Sequence, residues 1–598
     1  MTSPTLGLAA CTLALLLATT APAAPTVTRV ERTPDGWRLL RDGRPYTVRG
    51  AGGDGSRELL SRLGGNSLRT WGADDLDRQL DEAARLGLSV TVGIWLGHER
   101  HGFRYDDPAR VARQKAEALA VVSRYKGHPA VLAWGIGNEM EGDGTNPAVW
   151  RAVEDIAKEA RRLDPDHPTM TVIAEIGGPK VKSVHELCPS VDVVGINSYG
   201  GAPSVPERYR RAGGTKPYLL TEFGPPGRWE IKARDWGAPP ELSSTRKAES
   251  YRRAYEANVL GAEGLCLGSY AFLWGWKQEV TPTWMSLLLP GGERLAAADA
   301  LGELWSGRPP ANRCPEIRAF TLAGPDRVEP GATVRVDLAA TDPEGDPLSV
   351  RWLLRREVED YSSGGDREAA PPEFPEALAQ GDATGATFRL PRDGGGYRAF
   401  VTITDGHGGA ATANVPLLVK GPRVADAGAA RKPALPLVVV DEPGRADRPY
   451  APSGWMGNTA ALALDEACRD RPHGGASCLR LTYRAADGWA GVVWQDPPND
   501  WGDRPGGLDL RAAKSLRLWL RGAKGGETIT VGYGTTGGDK RYPDTASGRR
   551  EKIALTGDWQ EVVLPLEGDR SRIKSGLVLV LTGAGAPVTI DVDDVRYE

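Results

Sequence analysis

AVLAWGIGNEMEGDG, residues 130–144, begins as an apolar run and ends on Asn138, Glu139, Met140 and Glu141. A short apolar run bounded by glycine reads as a strand buried on both faces, and such strands belong to parallel sheets covered by helices. Two acids at its end do nothing for packing. The C-terminal end of a parallel strand is, however, where these folds place their chemistry.

Seven similar runs flank this one: YTVRGAGG (46–53), NSLRTW (66–71), SVTVGIW (89–95), TMTVIAEI (169–176), VDVVGINSY (191–199), PYLLTEFG (217–224) and LCLGSYAFLW (265–274). Charged stretches such as DDLDRQLDEAARLG separate them, with apolar residues three and four apart, the spacing of amphipathic helices. Eight strand–helix units within residues 25–308 predict a (β/α)8 TIM barrel. Polar residues at the strand ends are then the candidates for function. They are Arg69 and Trp71 on strand two, Trp95 and His98 on strand three, and Asn138 and Glu139 on strand four. Glu175 closes strand five, Asn197 and Tyr199 strand six, Glu222 strand seven, and Trp274 and Trp276 strand eight.

Two acids on strands four and seven suit glycoside cleavage. One carboxyl must be protonated to assist the leaving oxygen, and the other ionised to attack the anomeric carbon. Burial and neighbouring charge can hold two like groups in these different states. Arg69 and Tyr199 are placed to keep Glu222 ionised, and Asn138 to bind a sugar hydroxyl. Glu141 reads as a loop acid or a subsite contact.

GHPAVLAWGIGNEMEG (127–142) resembles the acid/base segment of clan A glycoside hydrolases, especially family-two β-galactosidase and β-glucuronidase barrels. PYLLTEFG resembles the clan's nucleophile strand, NSLRTW and NSYG its supporting Arg and Tyr positions, and FLW its aromatic last strand. The resemblance covers roughly residues 40–308. It implies Glu139 as acid/base, Glu222 as nucleophile and retention of anomeric configuration. The barrel comes first in this chain, an order closer to family-five enzymes and fungal β-1,3-glucanosyltransferases.

At 598 residues the chain is too long for one core. A Pro-rich break, WSGRPPANRCPE, opens a purely β segment at 312–420, where ATDPEGDPLSVRW resembles immunoglobulin-like repeats of the PKD or cadherin type. A second linker, KGPRVADAGAARKPALP, leads into residues 437–598. There GDWQEVVLPL and IDVDDVRYE resemble the jelly-roll sandwiches of carbohydrate-binding modules. Asp591, Asp593 and Asp594 in that segment are candidates for a structural calcium site. Trp489, Trp494 and Trp501 are candidate loop platforms.

Residues 1–24 read as a signal peptide, which predicts a secreted, periplasmic or cell-surface protein. Export makes a Cys468–Cys478 disulfide plausible; Cys188, Cys266 and Cys314 cannot be paired from sequence. No Cys/His spacing resembles a zinc site, and no organic cofactor is expected. A net charge of −4 gives no basic field for nucleic acid. Eighteen Trp against seven Phe lean towards carbohydrate, because an indole stacks on a pyranose face. The expectation is a monomeric retaining hydrolase of a β-linked polysaccharide, β-glucan first. The alternatives are a transglycosylase using the same residues and a non-catalytic carbohydrate binder.

Overall fold

Eight parallel strands pair edge to edge until the last meets the first, which makes a closed barrel. They are β1 (Val48–Gly52), β2 (Ser67–Arg69), β3 (Ser89–Ile94), β4 (Val131–Asn138), β5 (Thr169–Ala174), β6 (Val193–Asn197), β7 (Tyr218–Phe223) and β8 (Cys266–Phe272). These are the eight runs picked out above. The computed structural model describes residues 25–598 except 359–360, 362–364, 366–367, 369, 422–429, 441–448, 538–539 and 541. The expected signal peptide lies outside the described residues.

One helix follows each strand: α1 (Arg57–Arg62), α2 (Leu76–Arg85), α3 (Pro108–Tyr125), α4 (Pro147–Leu163), α5 (Lys180–Leu187), α6 (Val205–Arg211), α7 (Ser244–Tyr255) and α8 (Ala296–Ser306). Their starts are written in the sequence. Asp107 accepts hydrogen bonds from the Ala109 and Arg110 N–H groups with Pro108 as first helical residue, and Asn146 caps α4 ahead of Pro147 in the same way. The main core lies between barrel and helices, where Val90, Val92, Trp134, Val149, Trp150 and Ile156 are fully buried.

An antiparallel hairpin, Thr28–Thr33 against Gly36–Arg41, precedes β1. Its Leu39, with Val30 and Trp37 beside it, packs on Val48, Leu132, Val193, Leu219 and Leu267 at the beginnings of the strands. It therefore plugs the end of the barrel where the strands begin.

After α8 the chain builds a two-sheet sandwich: β9 (Glu316–Ala323), β10 (Thr333–Thr341), β11 (Ser349–Arg356), β12 (Leu378–Gly381), β13 (Gly385–Arg389), β14 (Gly395–Thr404) and β15 (Gly409–Val419). One sheet runs β9-β10-β13-β12. The other runs β15-β14-β11 and gains Arg294–Leu295, a short strand of the barrel domain, beside β15. The sandwich is fastened to the barrel by buried polar groups. The Ser244 hydroxyl, at the start of α7, accepts from the Thr412 N–H, and the Thr245 hydroxyl accepts from the Ile317 N–H.

Residues beyond 437 form a second, larger sandwich with a core of Leu481, Val492, Trp494, Leu518, Leu579 and Ile590. Its sheets hold β16 (Ala451–Gly457), β17 (Leu462–Cys468), β18 (Cys478–Tyr483), β19 (Trp489–Gln495), β20 (Ser515–Gly522), β21 (Thr528–Tyr533), β22 (Gly548–Ala554), β23 (Gln560–Pro565), β24 (Ser575–Thr582) and β25 (Val588–Tyr597). The orders are β17-β18-β25-β20-β23 and β16-β19-β24-β21-β22. Trp494, offered above as a loop platform, sits inside a strand with its ring in this core. Trp489 is exposed and Trp501 half-buried. No helix among the described residues is long and apolar enough to cross a membrane.

Candidate active site

The end of β4 is bent by its own backbone. Gly137 takes φ +74°, where an added Cβ would strike the Met140 side chain, and Glu139 follows at φ +52°. A non-glycine residue in the left-handed region is strained, and such strain persists where the surroundings over-determine it, characteristically at functional sites. The Glu139 N–H donates to the Val172 carbonyl of β5 at 3.0 Å, so the turned residue stays anchored to the barrel.

Arg69, only 3% exposed, is the hub of the site. From β2 its Nη1 donates to Glu222 Oε1 at 2.9 Å and to the Thr221 carbonyl at 2.8 Å on β7. Its Nη2 donates to Asn138 Oδ1 at 2.5 Å on β4. One guanidinium thereby fixes three strands. Glu222 takes two further donors: Trp71 Nε1 to Oε1 and the Tyr199 hydroxyl to Oε2, each at 2.7 Å. A charged, two neutral donors and near-complete burial hold this carboxylate rigidly in one orientation.

None of the described ion pairs joins Glu139 to a cation. Its Oε1 accepts from Asn197 Nδ2 at 2.6 Å, and the same amide also reaches Asn138 Oδ1. Burial first, and then the negative charge of Glu222, push the Glu139 carboxyl up to about 7. Burial and the same two acids raise the Tyr199 hydroxyl well above its ordinary value, so it stays a proton donor to Glu222. Two carboxyls in unequal surroundings, one ion-paired with Arg69 and one pushed up to about 7, can serve acid-assisted nucleophilic displacement at an acetal carbon.

Other expected residues fall in three groups. Trp71 and Tyr199 hydrogen-bond Glu222 directly, whereas Asn138 is tied to the two acids through Arg69 and Asn197. Trp95 is 47% exposed and stacks on the buried His98 with ring centroids 4.7 Å apart. Glu175 lies on the rim, where Arg208 Nη1 and the Ser198 hydroxyl hold it at 2.8 and 2.6 Å.

Trp274 corrects the sequence reading. Its ring is 0% exposed, its Nε1 donates to the Ser56 carbonyl at 3.0 Å, and it packs on Trp305 behind the barrel wall. It offers no face to a sugar. Trp276 is half-buried. Glu141 lies in the loop after β4, as expected, and is buried there: it is ion-paired with Lys180 at 2.9 Å and accepts from the Ala174 N–H.

Two residues take roles that the sequence did not assign. Asn197, a strand-end candidate without a stated role, closes β6 and is the only side chain among the described hydrogen bonds that donates to Glu139. Trp229, 61% exposed, stands edge-on to Tyr199 at 5.7 Å and gives the mouth an open aromatic face.

The calcium candidates lie in the second sandwich. Asp591 is fully buried and accepts from Arg480 Nε and Nη2 at 2.7 and 3.0 Å and from Arg521. Asp593 accepts the N–H groups of His473, Gly474 and Asp594. Guanidinium groups already neutralise Asp591, which does not fit the free anionic oxygen set that calcium takes. Cys468 and Cys478 are direct cross-strand partners on β17 and β18 and are present as buried thiols.

No family model matches the chain. A probable mannan endo-1,4-β-mannosidase C of Aspergillus terreus is 25% identical over 146 residues, which is 20% of this chain and 36% of the relative. The chain thus spans about a third of the length of that curated relative. Among solved structures, Ruminococcus gnavus β-glucuronidase is similar at 18% identity and TM-score 0.38, over 48% of this chain and 53% of that one. Dictyoglomus thermophilum β-D-glucuronidase is similar at 20% identity and TM-score 0.37, over 47% and 54%. The barrel itself stands on its closed strand pairing, and the site on its hydrogen bonds.

Proposed function

We propose that this chain is an exported retaining glycosidase that hydrolyses a β-linked polysaccharide. The observation that carries the reading is the single cation, Arg69, set between two buried carboxyls that close β4 and β7. In the first step Glu139 gives its proton to the glycosidic oxygen while Glu222 attacks the anomeric carbon. The aglycone leaves with that proton, and a glycosyl ester of Glu222 remains. Glu139, now ionised, takes a proton from water, whose oxygen displaces Glu222 and restores the original configuration. Asn138, gripped by Arg69, is positioned to bind the hydroxyl next to the anomeric carbon.

The mannosidase name of the matched relative and the β-glucan expectation from sequence support β-1,4-mannan or a β-glucan as the substrate, acted on by a monomer outside the cell. Exposed Trp229 and Trp95 at the mouth favour a polymer over a small glycoside.

The test is wild type against Glu222→Ala on β-mannans, β-glucans and β-galactans, with and without azide. The expected result is a loss of kcat on the order of 10⁵-fold, with azide restoring part of it and giving a glycosyl azide of inverted configuration. Wild-type turnover by Glu222→Ala on any glycan the protein cleaves would overturn the assignment. Products longer than the input would mean that a sugar hydroxyl replaces water in the second step.

A further inference from the structure

We infer that the first sandwich is part of the substrate groove, with Tyr361 forming a wall of a subsite beyond the cleaved bond. The inference rests on the glycosidase reading for the identity of the substrate and on two separate observations for the geometry.

The first is how the sandwich is locked in place. Arg398 of β14, buried, donates to Glu357 at the end of β11, to Asn414 of β15 and to the Pro239 carbonyl of the loop after β7. Asn414 passes its amide to Glu241 of that loop, which also takes Lys247 of α7 and the Thr281 and Thr283 hydroxyls of the loop after β8. A buried network with its charges paired fixes geometry, because breaking any one link strands a partner away from water. A tether that merely spaced two domains would need none of it.

The second is where the chain goes next. Between β11 and β12, the described residues Tyr361, Gly365 and Glu368 each contact the barrel domain. Tyr361 joins an apolar cluster built from Phe272, Leu273, Val280, Trp284 and Met285, and that cluster also includes Trp71 and Tyr199, the two neutral donors that hold Glu222. Arg228 lies over the Tyr361 ring at 4.7 Å, one residue before the exposed Trp229. Lys277 donates to the Gly365 carbonyl at 2.7 Å, and Glu368 accepts the Val280 N–H at 2.6 Å. The rim after β7 and β8 is therefore shared between two domains. A sugar chain leaving the nucleophile towards Trp229 meets the half-buried Tyr361 ring and the Arg228 guanidinium together.

The experiment uses the full chain with Tyr361→Leu, which keeps apolar contact but removes the flat face, and Tyr361→Phe, which keeps both. Rates are compared on β-1,4-mannohexaose and cellohexaose against the p-nitrophenyl β-glycoside of the same sugar. Tyr361→Leu should lower the kcat/KM ratio of hexasaccharide to aryl glycoside about tenfold, the size of one lost aromatic face, and Tyr361→Phe should hold that ratio within about twofold. An equal fall on both substrates, or no fall, overturns the inference. A parallel arm reads binding without catalysis: Trp fluorescence titration of Glu222→Gln with each hexasaccharide, with and without Tyr361→Leu. If wild type cleaves nothing while Tyr361→Leu still weakens hexasaccharide binding about tenfold, hydrolysis fails and the groove wall stands. If binding is unaffected by Tyr361→Leu, the wall fails whatever the activity.

Discussion

The mouth of the barrel and the middle of the second sandwich set acids against arginine in different proportions. At Asp591 two guanidinium groups, Arg480 and Arg521, meet two carboxylates, Asp591 and the more exposed Asp470, so each acid has a cation. At the mouth two carboxyls, Glu139 and Glu222, lie beside Arg69, whose ion pair is with Glu222. The first arrangement is balanced, and its oxygens are covered by cations. At the second, burial and the Glu222 charge push the Glu139 carboxyl up to about 7. Glu141 with Lys180 and Glu241 with Lys247 fall on the Asp591 side of this divide, each with a cation at hand. An acid's burial alone therefore says little about function. The local count of cations against acids separates the working pair from the structural ones.

The largest effect that bears on this comparison comes from Glu139→Gln, which removes the surplus acid but leaves the shape. Turnover of a polysaccharide should fall about 10²–10⁴-fold, the usual worth of a general acid. An aryl glycoside with a good leaving group should lose far less, because its departure needs no proton. The pH profile gives the sign. Glu139 is active when protonated and sits near 7 in the folded protein, so wild-type activity declines as pH rises through about 7. In Glu139→Gln that alkaline decline should vanish; a variant that kept it would move the titrating group elsewhere.

Next in size is Asp591→Asn, the matching change at the paired acid. Removing the anion leaves the buried Arg521 with only the exposed Asp470 at 3.7 Å, so the second sandwich should lose about 3 kcal/mol of stability by denaturant melting. Turnover of the aryl glycoside should not change. If activity fell with stability intact, Asp591 would belong with the working acids and the charge count would not discriminate.

What the sequence discloses follows the same physics. The eight strands are legible because a doubly covered strand must be apolar throughout, and the candidate acid pair because a buried strand has no packing reason to end on an acid. The hairpin before β1 went unread, although Asp35-Gly36 is a hairpin turn signal, and Gly36 takes φ +130°. Trp274 misled because a position near a strand end does not tell which way the side chain points, and this one points behind the barrel wall. Glu141 is in a loop as read, but its burial and ion pair were not legible, because its partner Lys180 lies 39 residues on, at the start of α5, and nothing local marks the pair. Tyr361 could not be placed at all, since its approach to the mouth depends on how two domains dock.

The smallest effect is the most discriminating about how Glu222 is held. Tyr199→Phe takes away one neutral donor while Arg69 and Trp71 stay in place. A hydrogen bond to a charged group is worth about 1.5–3 kcal/mol, so kcat should fall roughly ten- to a hundredfold. KM for the polysaccharide should move much less, because the hydroxyl faces the carboxylate and not the sugar. No such variant exists at Asp591, where the side-chain donors are all cationic and any deletion unpairs a charge. If Tyr199→Phe instead raised KM with kcat unchanged, the hydroxyl would be a sugar contact. The anion at the mouth would then rest on Arg69 and Trp71 alone, and the neutral share of its support would be half of what the geometry assigns.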